Sequence, residues 1–245
     1  MKVAVVVLSC DHWKTSKKFL DAFSKYTDLE KVKLVWIDNG STDLTPVNLE
    51  EYKNKGIIYN LILQEDNLGV IGGRNVGFDW FLNEDDSFDC DALMFIDNDQ
   101  YVKSGWLEHH MSVLERGYDL VGVEAWQMSN NFLPISRITT LQRSFAYVGC
   151  GGMMMTRETA EFLGKFDERF GVCFFEDPDV CFRAHKNNFK IGWNAKAKIL
   201  HESHTTLGGS VQRRNEFIAS LNEFRKKWKG HKKPNLRQRN LPEFK

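Results

Sequence analysis

A chain of 245 residues with 33 basic and 33 acidic side chains and 42% hydrophobic residues is long enough for one α/β domain with a sizeable core. Its charge balance argues against a whole-molecule field for nucleic acid, and no apolar run approaches the roughly 18 residues that cross a bilayer. Five cysteines, without CxxC spacing, predict reduced thiols in a cytoplasmic protein, and the short, β-branched start does not read as a signal peptide.

Val3 to Leu8 predicts a central parallel strand covered on both faces. Ser9-Cys10-Asp11 leaves its end, and Trp13 to Tyr26 carries Phe19, Leu20 and Phe23 at helical spacing. Val32 to Ile37 predicts a second buried strand. It runs into Asp38-Asn39-Gly40-Ser41-Thr42-Asp43, where Gly40 permits a tight turn and Ser41 or Thr42 can cap the next helix. A third strand, Ile57 to Leu63, precedes a helix whose opening turns contain Gly69, Gly72, Gly73 and Gly77. Each glycine costs about 1 kcal/mol against alanine, which predicts the close approach of a ligand or another backbone.

Ala92 to Ile96 predicts a fourth buried strand, delivering Asp97-Asn98-Asp99. Two carboxylates at the end of such a strand are costly without a positive partner. At the crevice of an open α/β sheet, a divalent cation carrying a diphosphate would answer that need, one acid taking the ion and the other a ribose. An acidic turn capping a helix is the plainer alternative. The alternation of strands and helices predicts a parallel sheet with right-handed crossovers, bringing Asp11, Asp38, Asn67 and Asp97 to one edge.

Ser104 to Arg116 predicts a helix and Leu120 to Val123 a strand. Trp126 to Phe145 has no clean period and is expected to be a surface insertion. Tyr147 to Met155 is strand-like, with Gly149, Gly151 and Gly152 marking a bulge or a backbone that faces substrate. Arg157 to Leu163 is a short helix. Another should open at Glu176-Asp177-Pro178-Asp179 and run to Asn188, with Asp177 as its cap and Pro178 in its first turn. Short strands at Ile191 to Trp193 and Ala197 to Leu200 end in His201. A loop from Thr205 to Ser210, a helix from Val211 to Trp228 and a basic tail from Arg225 to Arg239 complete the chain.

Taken together these residues resemble family 2 glycosyltransferases of the GT-A fold, from roughly Val3 to His204. Asp38 to Asp43 matches the family's (D/N)-N-G-S-T-D turn, Asn67 to Gly77 its N-x-G-x-x-x-x-R-N-x-G segment, Asp97 to Asp99 its D-x-D, and Glu176 to Arg183 its E-D-x-D-x-x-x-R helix start. His201 supplies the late-strand histidine. The resemblance implies a Rossmann-like, mostly parallel sheet flanked by helices with a small acceptor-side subregion. The catalytic domain would cover residues 1–210, and a C-terminal helix and tail residues 211–245.

By the same resemblance, Ser9, Cys10, Asp11 and Asp38 would hold the base of a UDP-, dTDP- or GDP-linked sugar. Asn67, Arg74, Asp97 and Asn98 would complete the donor site. Asp99 and His201, or His204 in its place, would bind Mn²⁺ or Mg²⁺. Asp177 would be the general base of an inverting transfer to an acceptor hydroxyl, with Glu176 and Gly151 on the acceptor side. Where the family often has Thr-Tyr-Asn after the first strand, this chain has Ser9-Cys10-Asp11, without an aromatic ring. Two rivals remain. A sugar-phosphate nucleotidyltransferase would carry a Gly-rich basic loop straight after the first strand, which Ser9 to His12 does not offer. A non-catalytic nucleotide-sugar-binding module would have no need of Asp97, Asp99 and Asp177 together. The tail, with no acid from Arg225 to Arg239, suits an anionic surface such as a membrane.

Overall fold

The computed structural model describes residues 1–139, 143–202 and 210–237. The β-branched run at Val3–Ser9 forms β1, buried on both faces, and the Phe19, Leu20 and Phe23 stripe of α1 (Trp13–Tyr26) covers one of them. β2 (Val32–Asp38), α2 (Thr45–Asn54), β3 (Asn60–Leu63), α3 (Gly69–Asn83) and β4 (Ala92–Asp97) follow. β1 pairs in parallel with both β2 and β4, Ser9 opposite Asp38 and Leu8 opposite Asp97. The polar residues that end these strands therefore share one edge, the usual ligand edge of such sheets.

Next come β5 (Gln100–Val102), α4 (Trp106–Leu114), β6 (Leu120–Gly122), β7 (Ala125–Met128), β8 (Pro134–Arg137), β9 (Tyr147–Val148), β10 (Met153–Thr156) and α5 (Arg157–Leu163). The chain continues through α6 (Glu176–Lys186), β11 (Ile191–Trp193), β12 (Ile199–His201) and α7 (Ser210–Lys227). The main sheet has the order β11-β6-β10-β4-β1-β2-β3, with β10 antiparallel to its neighbours. Alternation along the strands sorts the core into two layers: Val6 and Phe95 point to one face, Val5 and Met94 to the other.

Two expectations need correction, and a third is made specific. The stretch from Trp126 to Phe145 is not a surface insertion: β7 pairs with β8 and β9 in a small sheet, and Met128, Phe132, Ile138 and Phe145 are buried in the main core. The close approach expected at the α3 glycines is met within the chain, where a Cβ on Gly69 would lie 2.9 Å from the Val172 backbone. A Cβ on Gly73 would lie 2.4 Å from Leu8 and one on Gly77 2.3 Å from Val6, so the helix rests directly on β1. Neither Ser41 nor Thr42 caps α2, whose first residue is Thr45; Ser41 turns back to Asp38 instead. The expected loop at 205–209 and His204 lie outside the described residues. Among the described residues no helix is long and apolar enough to cross a membrane.

His110, on α4, has a packing role. Fully buried, its Nε2 lies 2.9 Å from the carbonyl of Gly152 and its Nδ1 3.0 Å from the Asn194 amide. A neutral ring satisfies both, donating to Gly152 and accepting from Asn194. Burial pushes this imidazole down to about 4 from an ordinary 6.5. The unfolded chain therefore takes up a proton, as pH falls through 6.5 towards 4, that the folded chain refuses. Stability should drop across that window by up to about 3 kcal/mol. Urea midpoints between pH 7 and pH 4 check this, since a His110→Gln variant should lose that part of the slope.

Candidate active site

At the end of β4, Asp97 is shaped from three sides. Its backbone N–H donates to Gln100 Oε1 at 2.9 Å, and its Oδ1 accepts from Arg74 Nη2 at 2.7 Å. Gly151 closes the third side: a Cβ there would sit 2.4 Å from Asp97 Oδ2, so only glycine lets the turn between β9 and β10 press so close. Asn98 donates to Ser16 on α1 at 3.0 Å. β12 runs antiparallel to β5 with His201 opposite Gln100, and Glu202 N–H bonds to the Asp99 carbonyl, which carries His201 back to Asp99.

The ligand atoms of Asp97, Asp99 and His201 lie within 4.8 Å of one another, and no other three acids, histidines or cysteines converge in this way among the described residues. Around an ion with bonds of about 2.1 Å, no two ligands are more than about 4.2 Å apart. The three ligand atoms would therefore draw together on binding one. Two hard carboxylates with one imidazole suit Mn²⁺ or Mg²⁺, the imidazole favouring Mn²⁺. Asp99 first, and Glu124 after it, hold a proton on His201, raising its pKa to about 10; a cation would take that proton's place.

Beside this cluster a cleft of 320 Å³ is lined by Ser9, Cys10, Asn67, Arg74, Asp97, Asn98, Asp99 and His201, all expected there, and by His12, Asn39 and Val70, which were not singled out. Asn39 belongs to a motif already noted. His12 carries no motif, and its left-handed backbone (φ 58°) places it at the mouth. Asp11 and Asp38 lie behind the lining: Asp11 Oδ1 accepts the N–H groups of Thr42 and Asp43, and Asp38 accepts from Ser41 N–H and Oγ. Both carboxylates shape the turn after β2. Ser9 Oγ accepts from Trp36 Nε1 at 2.8 Å, and Asn67 donates to Cys10 Sγ at 3.3 Å.

Arg74 is 6% exposed and bonds two carboxylates, Asp97 and, at 3.1 Å, Glu176. That buried guanidinium ties this cleft to a second cavity of 220 Å³, lined by Tyr147, Phe174, Phe217, Glu176 and Asp177, which shares Val70 with the first. Asp177 does not cap α6. The capping position is Phe175, which makes no side-chain cap, and Asp177 stands in the first turn. Its Oδ1 and Glu176 Oε2 are covered and have no hydrogen-bond partner. Burial raises both carboxyls above the ordinary range; the Asp177 charge raises Glu176 further, and Arg74 pulls both down.

The family model for glycosyl transferase family 2 matches residues 4–174. The chain belongs to that family. A curated family relative by sequence, the amylovoran biosynthesis glycosyltransferase AmsB of Erwinia amylovora, is 25% identical over 233 residues, covering 86% of this chain and 71% of its own length. Among solved structures, GalNAc-T7 with UDP, GalNAc and Mn²⁺ superposes with a TM-score of 0.75 at 15% identity, over 93% of this chain and 48% of that one. The mannosyltransferase PcManGT of Pyrobaculum calidifontis, with GDP-Man and Mn²⁺, gives 0.70 at 15% identity, over 95% and 66%. Residues 1–349 of S. aureus TarS give 0.60 at 20% identity, over 81% of this chain and 60% of that one, and the chain covers 36% of the longer TarS structure. At these identities the likeness is one of fold, and it places the glycosyltransferase family's GT-A sheet under this site. The chain spans between about a third and two thirds of the solved proteins it resembles.

Proposed function

We propose that this family 2 chain is an inverting glycosyltransferase, moving a sugar from a nucleotide-sugar donor to an acceptor hydroxyl with Asp177 as general base. One observation carries the reading. A continuous array runs from the Asp97, Asp99 and His201 cluster through Arg74 to Glu176 and Asp177, so a group that holds a diphosphate and a group that takes a proton face adjoining cavities.

In the proposed step the acceptor oxygen bonds to the anomeric carbon, the bond from that carbon to the diphosphate oxygen breaks with its electron pair, and the acceptor proton passes to Asp177. Bound between Asp97, Asp99 and His201, a divalent cation would supply Lewis-acid stabilisation of the departing diphosphate. Burial makes the Asp177 carboxylate a stronger proton acceptor than an exposed one, while Arg74 keeps it available in its ionised form. Tyr147, Phe174 and Phe217 give the acceptor cavity aromatic walls, which suit the apolar face of a sugar ring.

Incubation with UDP-, dTDP- and GDP-sugars and Mn²⁺ tests the reading, with slow release of nucleoside diphosphate expected. Pyrophosphate chemistry would favour the nucleotidyltransferase, and tight binding without turnover the non-catalytic module. A cytoplasmic protein that touches an anionic surface is a further part of the proposal, supported by exposed Lys226, Lys229, Lys232 and Arg237. Co-sedimentation with anionic vesicles at physiological salt tests that part, and absence of binding removes it. Not all the tail cations are free for such a surface, since Arg225 bonds the Asn131 carbonyl and Lys227 pairs with Asp167 and Asp179.

A further inference from the structure

His201 has a carboxylate beside each ring nitrogen. Nε2 lies 3.3 Å from Asp99 Oδ1, and Nδ1 lies 3.7 Å from Glu124 Oε1, a charge contact rather than a closed hydrogen bond. An imidazole binds a cation through one nitrogen and keeps its proton on the other. An acceptor beyond that second nitrogen fixes the tautomer and the ring plane and raises the basicity of the ligating atom. Glu124 stands in that position.

Glu124 is itself held. Its backbone carbonyl accepts from Gly149 N–H at 3.0 Å, and its Oε1 accepts from Arg137 Nη1 at 2.7 Å. Arg137 in turn sits opposite Trp126 in the pairing of β7 with β8. His201, by contrast, ends β12, which pairs with β5 alone. The ring that needs orienting is on a strand with a single pairing, and the carboxylate facing it, in the link between β6 and β7, is held by its bonds to Gly149 and Arg137.

We propose that Glu124 is a positioning residue of the cation site: it holds the Nδ1 proton of His201 and so turns the Nε2 lone pair towards Asp97 and Asp99, with Arg137 keeping Glu124 in place. The inference rests on the cation reading above. It also gives the small β7-β8-β9 sheet a part in the donor site that no sequence motif marks.

The test is Mn²⁺ binding to the whole chain without nucleotide, followed by the electron paramagnetic resonance of free Mn²⁺. Glu124→Ala should bind about 10–100-fold more weakly than wild type. Glu124→Gln, which keeps an acceptor oxygen, should fall between the two. ¹⁵N spectra of the Mg²⁺-loaded wild type should show His201 with its proton on Nδ1. Mn²⁺ affinity of Glu124→Ala within twofold of wild type, while His201→Ala loses at least tenfold, overturns the proposal. Wild-type affinity in both His201→Ala and Asp99→Asn removes the cation reading itself, and Glu124's role with it. Should Glu124→Ala fail to fold, the wild-type tautomer decides: a proton on Nδ1 supports the assignment and a proton on Nε2 overturns it.

Discussion

Asp177→Asn should lower turnover by about 10²–10⁴-fold, the usual contribution of a positioned general base, while donor-nucleotide affinity stays within about twofold. The amide keeps the carboxyl's shape but cannot take the acceptor's proton. Its removal also relieves Glu176 of a neighbouring like charge that raises its pKa, so the folded state has little to lose. At most about 1 kcal/mol goes with the acidic group from the first turn of α6. Steady-state kinetics with nucleotide titration separates this from a structural role: a variant with normal turnover and reduced melting temperature would mean that Asp177 only stabilises the helix.

The largest effect on stability is expected at Arg74. Arg74→Leu leaves Glu176, 8% exposed at its side chain, without its counter-charge, and strips Asp97 of the same partner. Breaking one side of a buried pair typically costs about 3–5 kcal/mol, and the cost is bounded because Glu176, already raised, can take up a proton. Adding Glu176→Gln to the leucine variant should recover part of the loss, since the stranded charge is then gone. Urea denaturation of the two singles and the double gives the coupling directly. A loss below 1 kcal/mol in Arg74→Leu would show that the pair carries no structural weight.

Much of the strand-end cluster and its cleft was legible in the sequence because its physics is local. The runs Val3 to Leu8 and Ala92 to Ile96 are too uniformly apolar for anything but strands covered on both sides, and each ends in polar residues that the parallel pairing necessarily brings together. What a strand-end acid does was less legible. Asp97 and Asp99 line the cleft, whereas half-exposed Asp11 and buried Asp38 bond N–H groups of the turn after β2. Only coordinates distinguish those fates, because both use the same residue type in the same place.

The surroundings of the second cavity were harder for a different reason. β7 and β8 are four residues each, and a shift in register between Gln127 and Met128 erases any period in the sequence. Asp177 looked like a cap because it precedes Pro178, yet the helix begins two residues earlier, from a left-handed phenylalanine that no propensity would choose. Glu124 had no motif around it. Its significance comes from the pairing of β12 with β5, a contact about a hundred residues away along the chain.

That left-handed bend has a consequence for how this molecule divides. Phe174 and Phe175 both hold positive φ, 72° and 64°, at a cost of about 1 kcal/mol or more apiece. What pins them is α7: Phe217 lies 5.5 Å from Phe174 and 5.3 Å from Phe175, and Phe224 lies 5.2 Å from Phe175. One turn further on, Trp228 and Lys227 reach back to Asp179 in α6. The C-terminal helix is therefore the strut that braces the start of α6, where Glu176 and Asp177 stand, although the match to the family model stops at residue 174. The two ends of the site are thus braced by different parts of the chain, the cluster by β4, β5 and β12 and the acids of α6 by the C-terminal helix.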